Sequence, residues 1–421
     1  MTRRTTRERL IEAVLVAIPI VLVMVFGTFG GDAAMGAAAV RTPASDEVLL
    51  TLLADPERAA TFEREAALRE RPGDVALAVD VARRHIEDAR RNNNPRALGW
   101  AEAVLAPFAN DANVPAAVRV LRATIRQSRH DFAAALVDLD AVLAEDPINV
   151  QAALTRATIY GVIGRPGDAR ADCDALRQGR AHPSVEAVCH AVLDGLTGKA
   201  EAGRARLDEW LSPDPRHAPP PAALLGWVLG TRADLSRSLG DVAAAERDLR
   251  ASLASDPHDA WTQATLADLL LDAGRPAEVL PVIGASDIDN LVLRRALAEV
   301  ALQGLRVGRE GTAVVDDARI AADIEALRGR FAAAHEREDA QHLREEARFV
   351  LAIEHDPARA LDLAVANWQH QKEIGDARIL LETALAARQP TRARPVLDHM
   401  QATGLVDAAL TPLVRALAEI R

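Results

Sequence analysis

Aromatic residues make up only 3% of this 421-residue chain, and Tyr160 is its one tyrosine. So few rings, beside so much alanine, favour helices packed closely through small side chains. Runs in which Val, Ile, Tyr or Thr alternate with polar residues are missing as well, which removes sheet-based folds. Lysine occurs only at Lys199 and Lys372, so arginine carries almost all of the positive charge. Beyond residue 41 no basic stripe interleaved with aromatics appears, and the formal charge of −11 is spread along the chain, so nucleic acid is not an expected partner. The sequence contains no GxxxxGK[ST], GxGxxG or HExxH. Phosphate-loop, dinucleotide and zincin chemistry have no foothold.

What the chain does have is alanine, in a composition that is 49% apolar, and a period. Both point to an all-α fold of closely packed helices. Arg122-Ala123-Thr124-Ile125 returns as Arg156-Ala157-Thr158-Ile159, 34 residues on. Small residues keep that step at Ala123, Ala157 and Ala191, and again at Ala101, Ala135, Ala169 and Gly203. The two series mark the first and second helices of successive pairs, at the points where they must approach closely. Asp146-Pro147 closes one pair, and Gly164-Arg165-Pro166 makes a turn that recurs as Gly274-Arg275-Pro276.

The proline-rich stretch Ser212 to Pro221 cannot be helical and interrupts the count, as a surface loop or as a bend in the array. The step resumes from Ala233, Gly240 and Ala245 to Ala267, Gly274 and Val279, and continues to Ala301 and Gly308. His355-Asp356-Pro357 and Gln389-Pro390 open two later second helices, marked by Ala360 and Ala393, and residues 408–420 read as a terminal capping helix.

In the unit containing Ala157, the spacing of Tyr160, Gly164 and Ala169 resembles the tetratricopeptide repeat pattern, with alanine and leucine in most of the places where that family carries large aromatics. The resemblance implies a right-handed superhelical solenoid over residues 41–421, with first helices lining a concave groove that holds a protein or peptide. Carried onto this chain, the groove-facing places include Gln151, Leu154 and Thr158, then Trp227, Asp234 and Arg237, then Trp261, Asp268 and Asp272. Trp227 and Trp261 are one period apart and form either a binding platform or packing between repeats.

The first forty residues are of another kind. Arg3, Arg4, Arg7 and Arg9 precede an apolar run from Leu10 to Phe29, followed by small residues with an Ala37-x-Ala39 pattern. This order describes an export signal, and the run is also close to the length of a membrane-crossing helix. Residues 1–40 are thus expected to be a cleaved signal peptide or a single anchor, leaving the remainder on the periplasmic or extracellular side of the cell envelope.

Catalytic and metal chemistry find little support. His335, His342, Glu345 and Glu346 share a segment, and Asp268 and Asp272 share a helix face, but both read as solvated or partner-facing stripes. Cys173 and Cys189 fall on helices of adjacent pairs that pack together, so they form either a disulfide in an oxidising compartment or two buried thiols. His190 beside them does not complete a metal spacing. No cofactor is expected. The sequence reads as a non-catalytic adaptor of the envelope. An accessory or assembly subunit of a membrane complex is the alternative, and a helical enzyme acting on envelope polymers a more distant one.

Overall fold

The computed structural model describes residues 56–91, 95–108, 114–179, 181–212, 219–308, 317–337 and 342–420, and no strand occurs among them. The expected signal or anchor at 1–40 lies outside the described residues, as do residues 213–218 of the proline-rich stretch. No helix among the described residues is long and apolar enough to cross a membrane. They fall into two compact units, one ending at Val118 and the other beginning at Arg119.

The first unit holds α1 (Pro56–Glu70), α2 (Val75–Arg91) and α3 (Pro95–Leu105). Asp74 starts α2 by accepting a hydrogen bond from the Leu77 amide at 3.0 Å. Ala78, Val81, Ala82 and Ile86 of α2 are buried, as are Ala97, Ala101 and Leu105 of α3.

The second unit is built from helix pairs. They are α4 (Ala116–Ser128) with α5 (Phe132–Glu145), α6 (Val150–Val162) with α7 (Pro166–Gln178), α8 (Pro183–Leu196) with α9 (Ala200–Leu211), and α10 (Ala222–Ser238) with α11 (Val242–Ser255). A fifth pair joins α12 (Ala260–Asp272) to a short turn and α13 (Val279–Ile283). The small-residue series sits where the helices touch. A Cβ at Gly203 would come within 2.9 Å of the Ala191 carbonyl oxygen, and Ala123, Ala135, Ala169, Ala191, Ala233, Ala245 and Ala267 are fully buried.

Each pair turns by the same chemistry. The first helix ends on a residue of positive φ, His130, Gly164, Gly198, Gly240 or Gly274. The next amide then reaches back five residues: Asp131 to Arg126, Arg165 to Tyr160, Lys199 to Asp194, Asp241 to Ser236 and Arg275 to Leu270, all between 2.7 and 2.9 Å. This bond and the left-handed residue define the Schellman end of a helix. Asp131 and Asp241 then cap the second helices of their pairs through the Ala134 and Ala244 amides.

A further interaction ties the layers together. Arg122, Arg156 and Arg232 on first helices each grip an aspartate 16 residues later on the second helix, Asp138, Asp172 and Asp248, with two parallel hydrogen bonds of 2.5 to 2.9 Å. Arg156 and Arg232 also reach the second helix of the preceding pair, at Asp140 (2.7 Å) and Asp208 (2.9 Å). In the α8–α9 pair the arginine position is His190, and the charges swap helices, with Asp194 on the first receiving Arg206 from the second. In the fifth pair the two places are Leu266 and Val282, an apolar replacement for the ion pair.

Counting by period fails after Gly274. The expected small contact at Ala301 is exposed, because α14 (Asp289–Gly308) runs unbroken for 20 residues where first helices such as α6 and α12 have 13. Its buried alanines are instead Ala296 and Ala298. There follow α15 (Asp317–Glu336), α16 (Leu343–Phe349, prolonged by a wide turn to Glu354), α17 (Pro357–His370), α18 (Ile374–Ala386), α19 (Arg394–Thr403) and α20 (Leu410–Glu419). They gather their own core around Phe331, Phe349, Leu361, Trp368, Leu380 and Leu381, which Leu410 and Leu417 of α20 join. The turn after α18 repeats the earlier design, with Arg388 at positive φ and the Gln389 amide on Ala384 O at 2.9 Å.

Cys173 on α7 and Cys189 on α8 are joined by a disulfide, with Cα atoms 5.6 Å apart. It staples adjacent pairs across a 16-residue separation. Replacing both cysteines by serine is expected to cost about 3 kcal/mol in urea unfolding, and reductant should produce the same loss in the native chain. Arg156→Ala, which strands the buried Asp172, is expected to cost about 3 kcal/mol. The double change Arg156→Leu with Asp172→Val, which copies the fifth pair, should recover most of that loss in the same assay.

Candidate functional site at the ends of the first helices

The carbonyl ends of α4, α6, α8, α10 and α12 are the negative poles of their helices and carry acceptors without partners inside the helix. The helices from α16 onward lie against these ends. Lys372 donates its amide to Val162 O at 2.8 Å, and Ala408 donates to Ser238 O at 2.9 Å. The Gln371 side-chain amide meets His130 Nδ1 at 3.4 Å. The segment from His399 to Ala408 passes the turns in order. A Cβ on Gly164 would strike Lys372 and His399 at under 3 Å, one on Gly198 would sit 2.1 Å from Gly404 O, and one on Gly240 would touch the Ala408 methyl at 3.4 Å. Glycine at 164 and 198 thus serves both the left-handed turn and the close approach of another backbone.

Ion pairs complete the face. Arg348 on α16 bonds Asp268 at 2.6 Å, where Arg294 of α14 is already held by two bonds of 2.8 and 3.0 Å. Arg378 on α18 grips Asp272 with bonds of 2.5 and 2.7 Å. Arg344 stands among Glu345, Glu373 and Asp376 at 3.2 to 3.3 Å. Asp376 also takes the Glu373 amide and the Asn367 side chain, both at 2.8 Å.

Burial sets the titration of these groups and their neighbours modulate it. Burial opposes charge on Asp268, but Arg294 and Arg348 outweigh it and hold the carboxyl below the ordinary range. Glu345 is likewise held low against its burial, by Arg344 and Arg294. Burial pushes the His130 imidazole down to about 3, helped by Arg344, His342 and His370. Burial and then Asp376 push Glu373 up to about 7 despite Arg344. Asp376 is raised for the same first reason, and Asp234 is raised by burial, with Arg237 pulling it back and Asp407 adding to the rise.

Of the residues expected to line a groove, Asp234, Arg237, Asp268 and Asp272 lie at this face. Asp268 and Asp272 are engaged by α14, α16 and α18, whereas Asp234 pairs with Arg237 of its own helix at 3.2 Å. Leu154 is buried, Thr158 donates to Leu154 O at 2.8 Å, and Gln151 meets the Thr155 hydroxyl at 3.3 Å. Both tryptophans are half-buried. Trp261 lies against Gly230, where a Cβ would be 2.9 Å from the ring, and Trp227 packs with Trp210 and Leu211 on the α8–α10 core.

No local pattern marks Gln371, Lys372, Arg348, Arg378 or Asp407, whose role depends on where the C-terminal helices come to rest. Among the described residues no group of three or more His, Cys, Asp and Glu is arranged to hold a metal ion. His335 instead bonds Glu346 at 2.8 Å, which also receives Arg359.

No protein-family model matches the chain, and no curated protein matches it in sequence. Among solved structures it is similar to a tetratricopeptide repeat protein from Parabacteroides merdae, with 17% identity and a TM-score of 0.38 over 65% of this chain and 93% of that one. The helix-pair architecture stands on the turns, caps and ion pairs described above.

Glu373 and His130 make stability depend on pH in opposite directions. Glu373, raised in the folded state, stabilises it fully below the ordinary glutamate value of 4.5, and this contribution is lost as pH rises through about 7. His130, depressed, contributes stability above its ordinary 6.5 that is lost as pH falls towards 3. The stability of the native chain minus that of Glu373→Gln should therefore fall between about pH 5 and pH 8. Urea midpoints across that range check the sign, with Asp376, Arg344 and Asp234 as the charged neighbours to hold constant.

Proposed function

We propose that the chain is a non-catalytic interaction scaffold of the cell envelope that holds a protein or peptide partner on the ends of its first helices. The observation that carries this reading is that the face already holds polypeptide. It takes backbone amides at Val162 O and Ser238 O and arginines at Asp268 and Asp272, the chemistry a bound helix or strand would offer. The export-type order of the first forty residues and the disulfide support an oxidising location. The near-20-residue apolar run Leu10 to Phe29 favours, as a second reading, a standing place beside a membrane complex.

A photo-crosslinking residue in place of Arg237, which lies at this face with 31% of its side chain open to water, introduced into the full chain in its own cells, tests the scaffold. The expected result is one discrete adduct with a second protein, recovered from the envelope fraction with Cys173 and Cys189 joined. A chain recovered without any adduct would remove the scaffold reading, and two alkylatable thiols would remove the envelope location.

A further inference from the structure

Helices α16–α20 belong to a different apolar core from the pairs they lie against. One core runs from Ala233 and Leu249 through Leu266 and Leu270 to Leu291 and Ala298 of α14. The other begins on the same helix at Val292, Leu293 and Ala296 and runs to Leu417. The helix α14 is thus the element both cores share, while the face itself joins close backbone approaches at Gly164, Gly198 and Gly240 to a set of polar contacts. The polar set comprises the two backbone hydrogen bonds, the Gln371–His130 contact and the Arg348 and Arg378 ion pairs. The side chains of Arg348, Arg378 and Asp272 keep 26%, 30% and 35% of their surface open to water, and Asp268, at 18%, retains Arg294 when Arg348 leaves, so separation strands no fully buried, unpaired charge.

Two buried amides in the helices on either side are incompletely bonded. Gln127, one turn before His130, is buried with neither end of its amide bonded to protein, and Asn367, one turn before Gln371, has an unbonded Oδ1. Two separate cores joined through one helix, with partly exposed ion pairs and hydrogen bonds between them, have the composition of an interface that opens.

We propose that the first-helix ends are a masked docking surface for an arginine-bearing helical segment of a partner, and that α16–α20 are its resident occupant, released by movement about α14. This rests on the scaffold reading above and adds the partner's chemistry and its regulation. The partner presents arginine to Asp268 and Asp272 and displaces the chain's own helices. Asp268 stays charged in the open state because Arg294 remains beside it.

The test uses the full chain and its Arg348→Ala/Arg378→Ala variant, with Asp272→Asn as a milder second variant. Residue-resolved hydrogen exchange should show the Lys372 and Ala408 amides exchanging at least tenfold faster in the variants, with the interior amides of α6 and α18 unchanged. No acceleration, or equal acceleration inside α6 and α18, would overturn the mask and leave the scaffold reading standing. A labelled synthetic peptide of residues 374–388, followed by fluorescence anisotropy, probes the uncovered surface. It should bind the double-arginine variant at least tenfold more tightly than the native chain, and lose that binding when Asp272→Asn is added. Opened amides without peptide binding would overturn the docking surface itself.

Discussion

The unit from Arg119 onward depends on a guanidinium held flat between carboxylates of successive layers. Arg156 grips Asp172 within its own pair and Asp140 in the pair before, and Arg232 does the same with Asp248 and Asp208. A planar fork with five donors can satisfy two carboxylates in fixed directions at once, which a lysine ammonium cannot. Rotation of one pair against the next is therefore resisted by geometry as well as by the fit of alanines. The restraint is not uniform. It reverses sign at Asp194 and Arg206 and gives way to Leu266 and Val282 at the last pair, the one next to α14.

With the register fixed, the first helices all end in the same kind of turn, and their carbonyl poles present a repeated demand for donors. Solvent could meet that demand, as it does at most helix ends. Here part of it is met by Lys372 and Ala408 amides, and the carboxylates beside it are met by arginines from α16 and α18. The electrostatic character of the face follows: Asp268 and Glu345 are held ionised by arginines, while Glu373, Asp376 and Asp234, with less cationic help, are driven toward the neutral form.

How much of this was legible in the chain follows from the range of each interaction. Ala123, Ala157 and Ala191 announce themselves because steric contact within a pair admits no large residue, and the turns at Gly164 and Gly274 because positive φ favours glycine. The arginine–aspartate step of 16 is also written in the sequence, but charges at helical spacing look like solvated surface until their partners are placed. The same counting misleads at Ala301, since nothing local reveals that α14 does not turn at the usual place. The surroundings of Trp227 and Trp261 are set by neighbours such as Gly230, 31 residues from Trp261, which no local pattern announces. The site itself joins residues with no shared pattern.

The masking contacts also differ from the rest in the order in which they can form. Schellman turns close over five residues and the arginine grips over 16, so each pair can assemble as soon as its own segment is available. Arg348–Asp268, Arg378–Asp272 and Gln371–His130 span 80, 106 and 241 residues. A chain emerging from its N-terminus therefore completes its helix pairs while their ends are still bare. For the interval before residue 348 appears, every nascent copy displays the uncovered surface, a window in which a partner meets no competitor.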